Sequence, residues 1–272
     1  MEDLDFTRPA RHEIYDPEVA RACFESLSKA QSVAQGERFF AEGEASEHMY
    51  LLLEGEVGLL RGKRSIDVVK PGEIFGEMAA ITQQPRSASA IAKSACRVIA
   101  LDAKQFQRAI QKTPQFVLIL MSIMINRLRL ADAMIGMTRS LPDWAGKDDT
   151  RMFDDALMHE LLDALPERPP QRFTAGQTIM KEGESGIFMY VVLRGHVEVS
   201  IKSKVVERVG PGGVFGEMAL VDQSPRAASA ITDGNCSLLA INRNDLLALV
   251  KAKPAFAVSL LKAVAERLRR MT

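Results

Sequence analysis

Pro71-Gly72-Glu73-Ile74-Phe75-Gly76-Glu77-Met78-Ala79, followed by Pro85-Arg86-Ser87-Ala88-Ser89-Ala90, is a stretch that the chain contains twice. The second copy is Pro211-Gly212-Gly213-Val214-Phe215-Gly216-Glu217-Met218-Ala219, followed by Pro225-Arg226-Ala227-Ala228-Ser229-Ala230. Each has a glycine-led turn, one acid after it and, nine positions further on, one arginine among small residues. Small side chains let a ligand approach the backbone closely. Glycine opening a short helix leaves amide N–H groups free to hold an anion. A nearby arginine adds a charge-assisted, bidentate grip. An acid beside an anion site makes sense once it has a hydroxyl to bind. The pattern points to a ligand that carries a phosphate and a free sugar hydroxyl.

Outward from these stretches, the two halves run in register at an offset of 140 residues. Gly36 matches Gly176, Gly43 matches Gly183, Tyr50 matches Tyr190 and Gly55 matches Gly195. Pro114 and Pro254, Phe116 and Phe256, and Arg127 and Arg267 continue the series. An ungapped repeat of that length is a duplicated domain. The divisions expected are a lead-in at 1–15, a domain at 16–139, a polar linker at 140–150 with Pro142 and Gly146, and a second domain at 151–272.

Asp16-Pro17 supplies an N-cap and a proline for a helix to about Ala30. From Val33 to Leu101 short strands alternate with Gly and Pro turns: Arg38–Ala41, Met49–Leu53, Glu56–Leu60, Ile66–Val69, Ser87–Ala92 and Arg97–Leu101. Many short strands with such turns indicate a β jelly roll with flanking N- and C-terminal helices, so the fold is mainly β. Asp102–Thr113 reads as a helix, and Pro114 opens a longer one to about Gly136. From Phe116 to Ile125 every residue except Ser122 is apolar. A helix apolar nearly all round is buried on more than one side, either against its own barrel and a second subunit or domain, or wholly inside its own domain. A homodimer through helix 114–136 is one outcome of the first reading. Met152–Leu165 reads as the helix that opens the second domain.

A chain of 272 residues holds two domains of ordinary size. Its 35 basic and 35 acidic residues balance, which argues against an electrostatic nucleic-acid footprint. Cys23, Cys96 and Cys236 are odd in number and lack metal spacing, and Cys96 and Cys236 occupy equivalent apolar positions, so reduced core residues are expected. The four histidines are scattered, and no metal is expected. No apolar signal segment stands at the N-terminus and no run is long enough to span a membrane. These features read as a soluble, cytoplasmic protein. No nucleophile–base constellation suits catalysis, so no enzyme is expected.

Phe-Gly-Glu-Met-Ala followed by Pro-Arg-Ser-Ala-Ser-Ala or Pro-Arg-Ala-Ala-Ser-Ala resembles the phosphate-binding cassette of cyclic nucleotide-binding domains. These occur in bacterial catabolite activator proteins, regulatory subunits of protein kinase A and cyclic nucleotide-gated channels. The resemblance implies that Arg86 and Arg226 grip a cyclic phosphate and that Glu77 and Glu217 accept from the ribose 2′-hydroxyl. The cradle would be completed by the backbone of Gly76, Met78, Ala79, Ser87 and Ala88, and of Gly216, Met218, Ala219, Ala227 and Ala228. The alternative is that Arg86 and Glu77 pair as a surface salt bridge of little worth. The ligand implied is cyclic AMP (cAMP), with cyclic GMP (cGMP) also accommodated in the first domain. Ser87 stands there where the second site has Ala227, and relatives selective for cyclic GMP use a hydroxyl at this position.

Aligned on Arg127-Leu128, the base-proximal residues would be Ala131 and Asp132, matched by Met271 and Thr272. An aspartate can accept from two guanine N–H groups, or it can lie solvated on the Arg129–Asp132 face. Trp144 either caps a base or packs on the nearest surface. The resemblance further implies a non-catalytic receptor that signals through its long helices to an effector protein. On this reading no helix-turn-helix DNA-binding domain is expected after the last helix and no Arg-Arg-x-Ser-like inhibitory segment before the first domain. A regulatory subunit or fragment of a larger enzyme or transcription factor, and a scaffold sensing another ligand, are the rival readings. Arg269-Arg270 reads as a dipole-matched end to a basic helix.

Overall fold

The computed structural model describes residues 16–137, 153–165 and 167–271, with the backbone alone for 130–137, 270 and 271. The expected linker, Trp144 and Thr272 lie outside the described residues, as do the side chains of Ala131, Asp132 and Met271.

The first repeat runs α1 (Pro17–Glu25), β1 (Ala30–Val33), β2 (Arg38–Phe40), β3 (Met49–Glu54), β4 (Val57–Arg61), β5 (Arg64–Val69), β6 (Ile74–Phe75), α2 (Glu77–Thr82), β7 (Ser89–Ala92), β8 (Cys96–Leu101), α3 (Ala103–Lys112) and α4 (Gln115–Met137). The second runs α5 (Asp155–Ala164), β9 (Gln171–Phe173), β10 (Thr178–Met180), β11 (Phe188–Ile201), β12 (Lys204–Val209), β13 (Val214–Phe215), α6 (Glu217–Asp222), β14 (Ser229–Asn242), α7 (Arg243–Ala252) and α8 (Pro254–Met271). Asp16 caps α1 as expected, accepting from Glu18 N at 2.9 Å. That helix stops at Glu25, short of Ala30, because Ala30–Val33 pair as a strand with β8. Likewise α5 begins only at Asp155, where Asp154 supplies the cap.

The first repeat is a β jelly roll of two four-stranded antiparallel sheets, ordered β1-β8-β3-β6 and β2-β7-β4-β5. The second repeat joins the same strands into one bent sheet, because β11 and β14 pass through both halves with register shifts near Gly195. The central strands β3, β6 and β8 are largely buried on both faces. Leu52, Phe75 and Val98 point into the barrel with Val57 and Ala90, whereas Leu51, Ile74 and Ile99 face the helices. Period-2 alternation sends neighbouring residues to opposite faces, so a strand covered on both sides reads as a continuous apolar run. Cys23, Cys96 and Cys236 are buried and unbridged.

In α4 the unbroken apolar run is explained by several partners at once. It packs on α1 and α3 of its own repeat and on α8 and α6 of the other. Phe116 through Ser122 are all buried, and one large core cluster spans both repeats. The second partner of this helix is therefore α8 of the other repeat, the second-domain alternative of the expected two-sided burial. Each cassette helix packs on the long helix of the other repeat, α2 on α8 and α6 on α4.

Phe116 is fully buried and meets Phe24 edge-on, with centroids 5.8 Å apart. Phe116→Ala should cost about 3–5 kcal/mol, the range for emptying a buried aromatic position. Chemical denaturation measures it, and a loss below about 1 kcal/mol would contradict the packing described.

Candidate functional site

Both cassettes are built alike. β6 ends at Phe75, and Gly76 then adopts φ 75° and ψ 7°, a left-handed conformation that favours glycine, to turn the chain into α2. Gly216 does the same at φ 78° and ψ 5° before α6. A Cβ on Gly76 would also lie 2.8 Å from Nη1 of Arg86. The arginine folds back over this turn, so the glycine serves both the conformation and the close approach.

Arg86 is 3% exposed and Arg226 6%. Arg86 donates from Nη1 to the Gly76 carbonyl (2.7 Å) and from Nη2 to the His48 carbonyl and Ser46 Oγ (2.7 Å each). Its guanidinium carbon lies 3.9 Å from the centre of the Phe40 ring, within cation–π range. Nε of Arg86 is buried and, among the described residues, has no hydrogen-bond partner. Arg226 donates to the Gly216 carbonyl (2.8 Å) and the Phe188 carbonyl (2.7 Å). Among the described residues neither guanidinium forms an ion pair. Burial depresses the pKa of both, against the opposing pull of Tyr50 and Tyr190 respectively. Arginine stays charged throughout the ordinary pH range. Each is a buried cation whose bonded hydrogens go to carbonyls, with the Ser46 hydroxyl added for Arg86, and among the described residues no counter-charge is bonded to either.

The acids are as deeply buried, Glu77 and Glu217 at 1% each. They do not pair with the arginines nine residues on, and the surface salt bridge between Glu77 and Arg86 is not formed. Glu77 instead binds Arg127 of α4, and Glu217 binds Arg267 of α8. Arg267 also reaches the Val214 carbonyl at 2.9 Å and Glu207 at 3.1 Å. Oε2 of Glu217 is buried and, among the described residues, has no hydrogen-bond partner, an acceptor available to a hydroxyl. Met78, Ala79, Ala88, Ala219 and Ala228 are buried in the core, whereas Ser87, Ala227 and Met218 stay partly exposed. What the small residues offer a ligand is their backbone.

The sequence pattern did not assign three elements of this arrangement. Arg127 and Arg267 were visible as a matched pair in the repeat, but nothing local tied them to the acids 50 residues earlier. Ser46 and Phe40, which hold Arg86, are replaced in the second repeat by Gly186 and Met180 and so gave no repeated signal. Arg269, expected as a helix-end charge, reaches across to the Pro85 carbonyl at 3.0 Å. A separate open cavity of about 930 Å³ in the second repeat, lined among others by Met158, Leu162, Phe173 and Arg194, includes neither cassette charge. Among the described residues no group of three or more His, Cys, Asp or Glu could hold a metal ion, and no helix is long and apolar enough to cross a membrane.

Arg127→Met would leave Glu77 buried without its cation. With Arg127 32% exposed, solvent moderates the pairing, and a loss of roughly 1–3 kcal/mol is expected. Adding Glu77→Gln should recover much of it, because the unpaired charge is then gone. Additive losses in the double-mutant cycle would contradict the pairing.

A family model for the cyclic nucleotide-binding domain matches residues 30–113 and 170–253, together more than half of the chain. The chain is 28% identical over 198 residues to the cAMP-dependent protein kinase regulatory subunit of Eremothecium gossypii, covering 72% of this chain and 38% of that one. It is 27% identical over 216 residues to the protein of the same name from Yarrowia lipolytica, covering 79% of this chain and 52% of that one. It thus spans about half or less of the length of these relatives. A solved structure of the regulatory domain of Toxoplasma gondii PKA with cAMP is 23% identical, covers 90% of each chain and aligns with a TM-score of 0.33. Two matched cassettes on two jelly-roll repeats place this chain in the cyclic nucleotide-binding domain family.

Proposed function

We propose that the chain is a receptor without catalytic activity of its own, binding cyclic AMP in each of its two cassettes. The observation that carries this reading is the buried guanidinium without an ion-pair partner, built twice on the same scaffold. Burying a charge without a counter-charge is costly, and a cyclic phosphate supplies the counter-charge in the form that a planar guanidinium binds best. Arg86 and Arg226 hold the phosphate, and Nε of Arg86 has a donor to spare for it. Glu77 and Glu217 accept from the ribose 2′-hydroxyl; that Oε2 of Glu217 has no hydrogen-bond partner among the described residues supports this role. The backbone at Gly76, Ala79 and Ser87, and at Gly216, Ala219 and Ala227, completes the cradle. Ser87 gives the first site the additional hydroxyl that lets it accept cyclic GMP.

The two functional units are residues 16–139 and 151–272, joined by 140–150. The signal leaves through the long helices. Arg127 ties α4 to Glu77 and Arg267 ties α8 to Glu217, so a ligand that engages the carboxylates also acts on helix position. It shifts the helices only to the extent that it binds one arrangement better than the other. The names of the two curated relatives support a protein kinase catalytic chain as the partner that reads this movement.

Calorimetric titration of the full chain tests the reading. Two cyclic AMP sites per chain are expected, with cyclic GMP competing at the first. Arg86→Ala and Arg226→Ala should each weaken one site, about tenfold to a few hundredfold for the loss of charge-assisted bonds. A folded chain that gives neither heat nor a thermal shift with either nucleotide would contradict the function and leave the fold intact.

A further inference from the structure

The two repeats are linked at the cassettes themselves. Arg129, two residues beyond the one that holds Glu77, turns away from its own repeat. Its Nη2 donates to Oδ1 of Asp222 at 2.8 Å, its Nε to Oδ2, and its Nη1 to the Pro225 carbonyl at 3.1 Å. Asp222 ends α6, and its side chain is 1% exposed; that of Arg129 is 22% exposed. Oδ1 of Asp222 also accepts from Ser224 N at 3.0 Å, so one carboxylate holds both the loop and the foreign arginine.

The peptide that these contacts secure is the one leading into Arg226. Its carbonyl, from Pro225, accepts from Arg129 of the first repeat, and its N–H donates to the Glu184 carbonyl of its own repeat at 2.9 Å. Both polar groups of that peptide are thereby fixed, one of them by the other repeat. We propose that Arg129 is a positioning residue of the second nucleotide site, clamping Asp222 and the Pro225 carbonyl so that Arg226 is correctly presented only when α4 of the first repeat is seated beside it. This rests on the reading that Arg226 grips the nucleotide phosphate.

The reciprocal contact is thinner. Arg269 donates to the Pro85 carbonyl at 3.0 Å, and the N–H of Arg86 is held by the Glu44 carbonyl at 2.9 Å. Thr82 stands where Asp222 stands, and its hydroxyl turns back to the Met78 carbonyl at 2.7 Å. A bidentate ion pair on one side thus faces a neutral position on the other. On this proposal the second site depends on the first repeat more than the first depends on the second, because α4 touches both cassettes, Glu77 through Arg127 and Asp222 through Arg129.

The test uses the full chain with cyclic AMP and reads the sites one at a time. Second-site affinity is measured by calorimetry in an Arg86→Ala background and first-site affinity in an Arg226→Ala background. Arg129→Gln should weaken the second site about three- to thirtyfold while moving the first less than about twofold. Asp222→Asn, isosteric and still able to accept from Ser224 N, should weaken the second site similarly. The double variant should be no worse than the weaker single, because both remove one interaction. Arg129→Lys should recover part of the loss, and Arg269→Gln should weaken the first site less than Arg129→Gln weakens the second. Should Arg129→Gln fail to fold, Asp222→Asn alone decides. Second-site affinity within about twofold of the parent in Arg129→Gln, or equal losses at both sites, would overturn the inference while leaving the receptor reading standing. A parent chain that binds no cyclic AMP would overturn both.

Discussion

In each repeat two opposite charges are buried within one short stretch and kept from neutralising each other. Glu77 and Arg86 are nine residues apart in sequence, both are almost wholly withdrawn from solvent, and each is bonded elsewhere. Had they paired, the site would be an inert internal salt bridge. The glycine turn at Gly76 prevents it by placing its own carbonyl against the guanidinium and aiming the acid toward the long helix. The barrel, with its two-sided strands, supplies the rigid frame on which such a separation persists. A site on a rigid scaffold is more sharply defined than one on loops.

The two sites share this plan and differ in its upkeep. In the first, Arg86 rests on Phe40 and bonds Ser46; in the second, Gly186 and Met180 stand in those places, and Arg226 keeps the two carbonyl bonds. The acid side is reversed, because Arg267 bonds Glu207 and the Val214 carbonyl in addition to Glu217. The first site has the better-held arginine and the second the better-held acid partner. Together with the unequal clamps of Arg129 and Arg269, this makes the chain an asymmetric pair built from a duplicated sequence.

Much of this was legible in the sequence for a physical reason. A left-handed turn admits little besides glycine, a jelly roll needs its Gly and Pro turns, and a helix covered on several sides needs an apolar run, so these features write themselves into local sequence. The fixed offset of 140 residues then made the duplication readable. What local sequence could not carry were the contacts between distant elements. Arg127 to Glu77 spans 50 residues and Arg129 to Asp222 spans 93, and neither arginine looks different from a solvated one on a helix face. α1 is shorter than its sequence pattern predicts because Ala30–Val33, exposed along most of its length, gives no apolar signal and is a strand by pairing with β8.

Whether a buried guanidinium without an ion-pair partner among the described residues receives a nucleotide phosphate is read most directly at the Nε–H of Arg86. That group is buried and has no hydrogen-bond partner among the described residues. NMR of the arginine Nε–H resonances on addition of cyclic AMP reads it, with Arg86→Lys assigning the signal. The account predicts that this resonance moves to the position of a charge-assisted hydrogen bond and does so in step with first-site occupancy. A chain that binds cyclic AMP while the Arg86 Nε–H signal stays in place would contradict it.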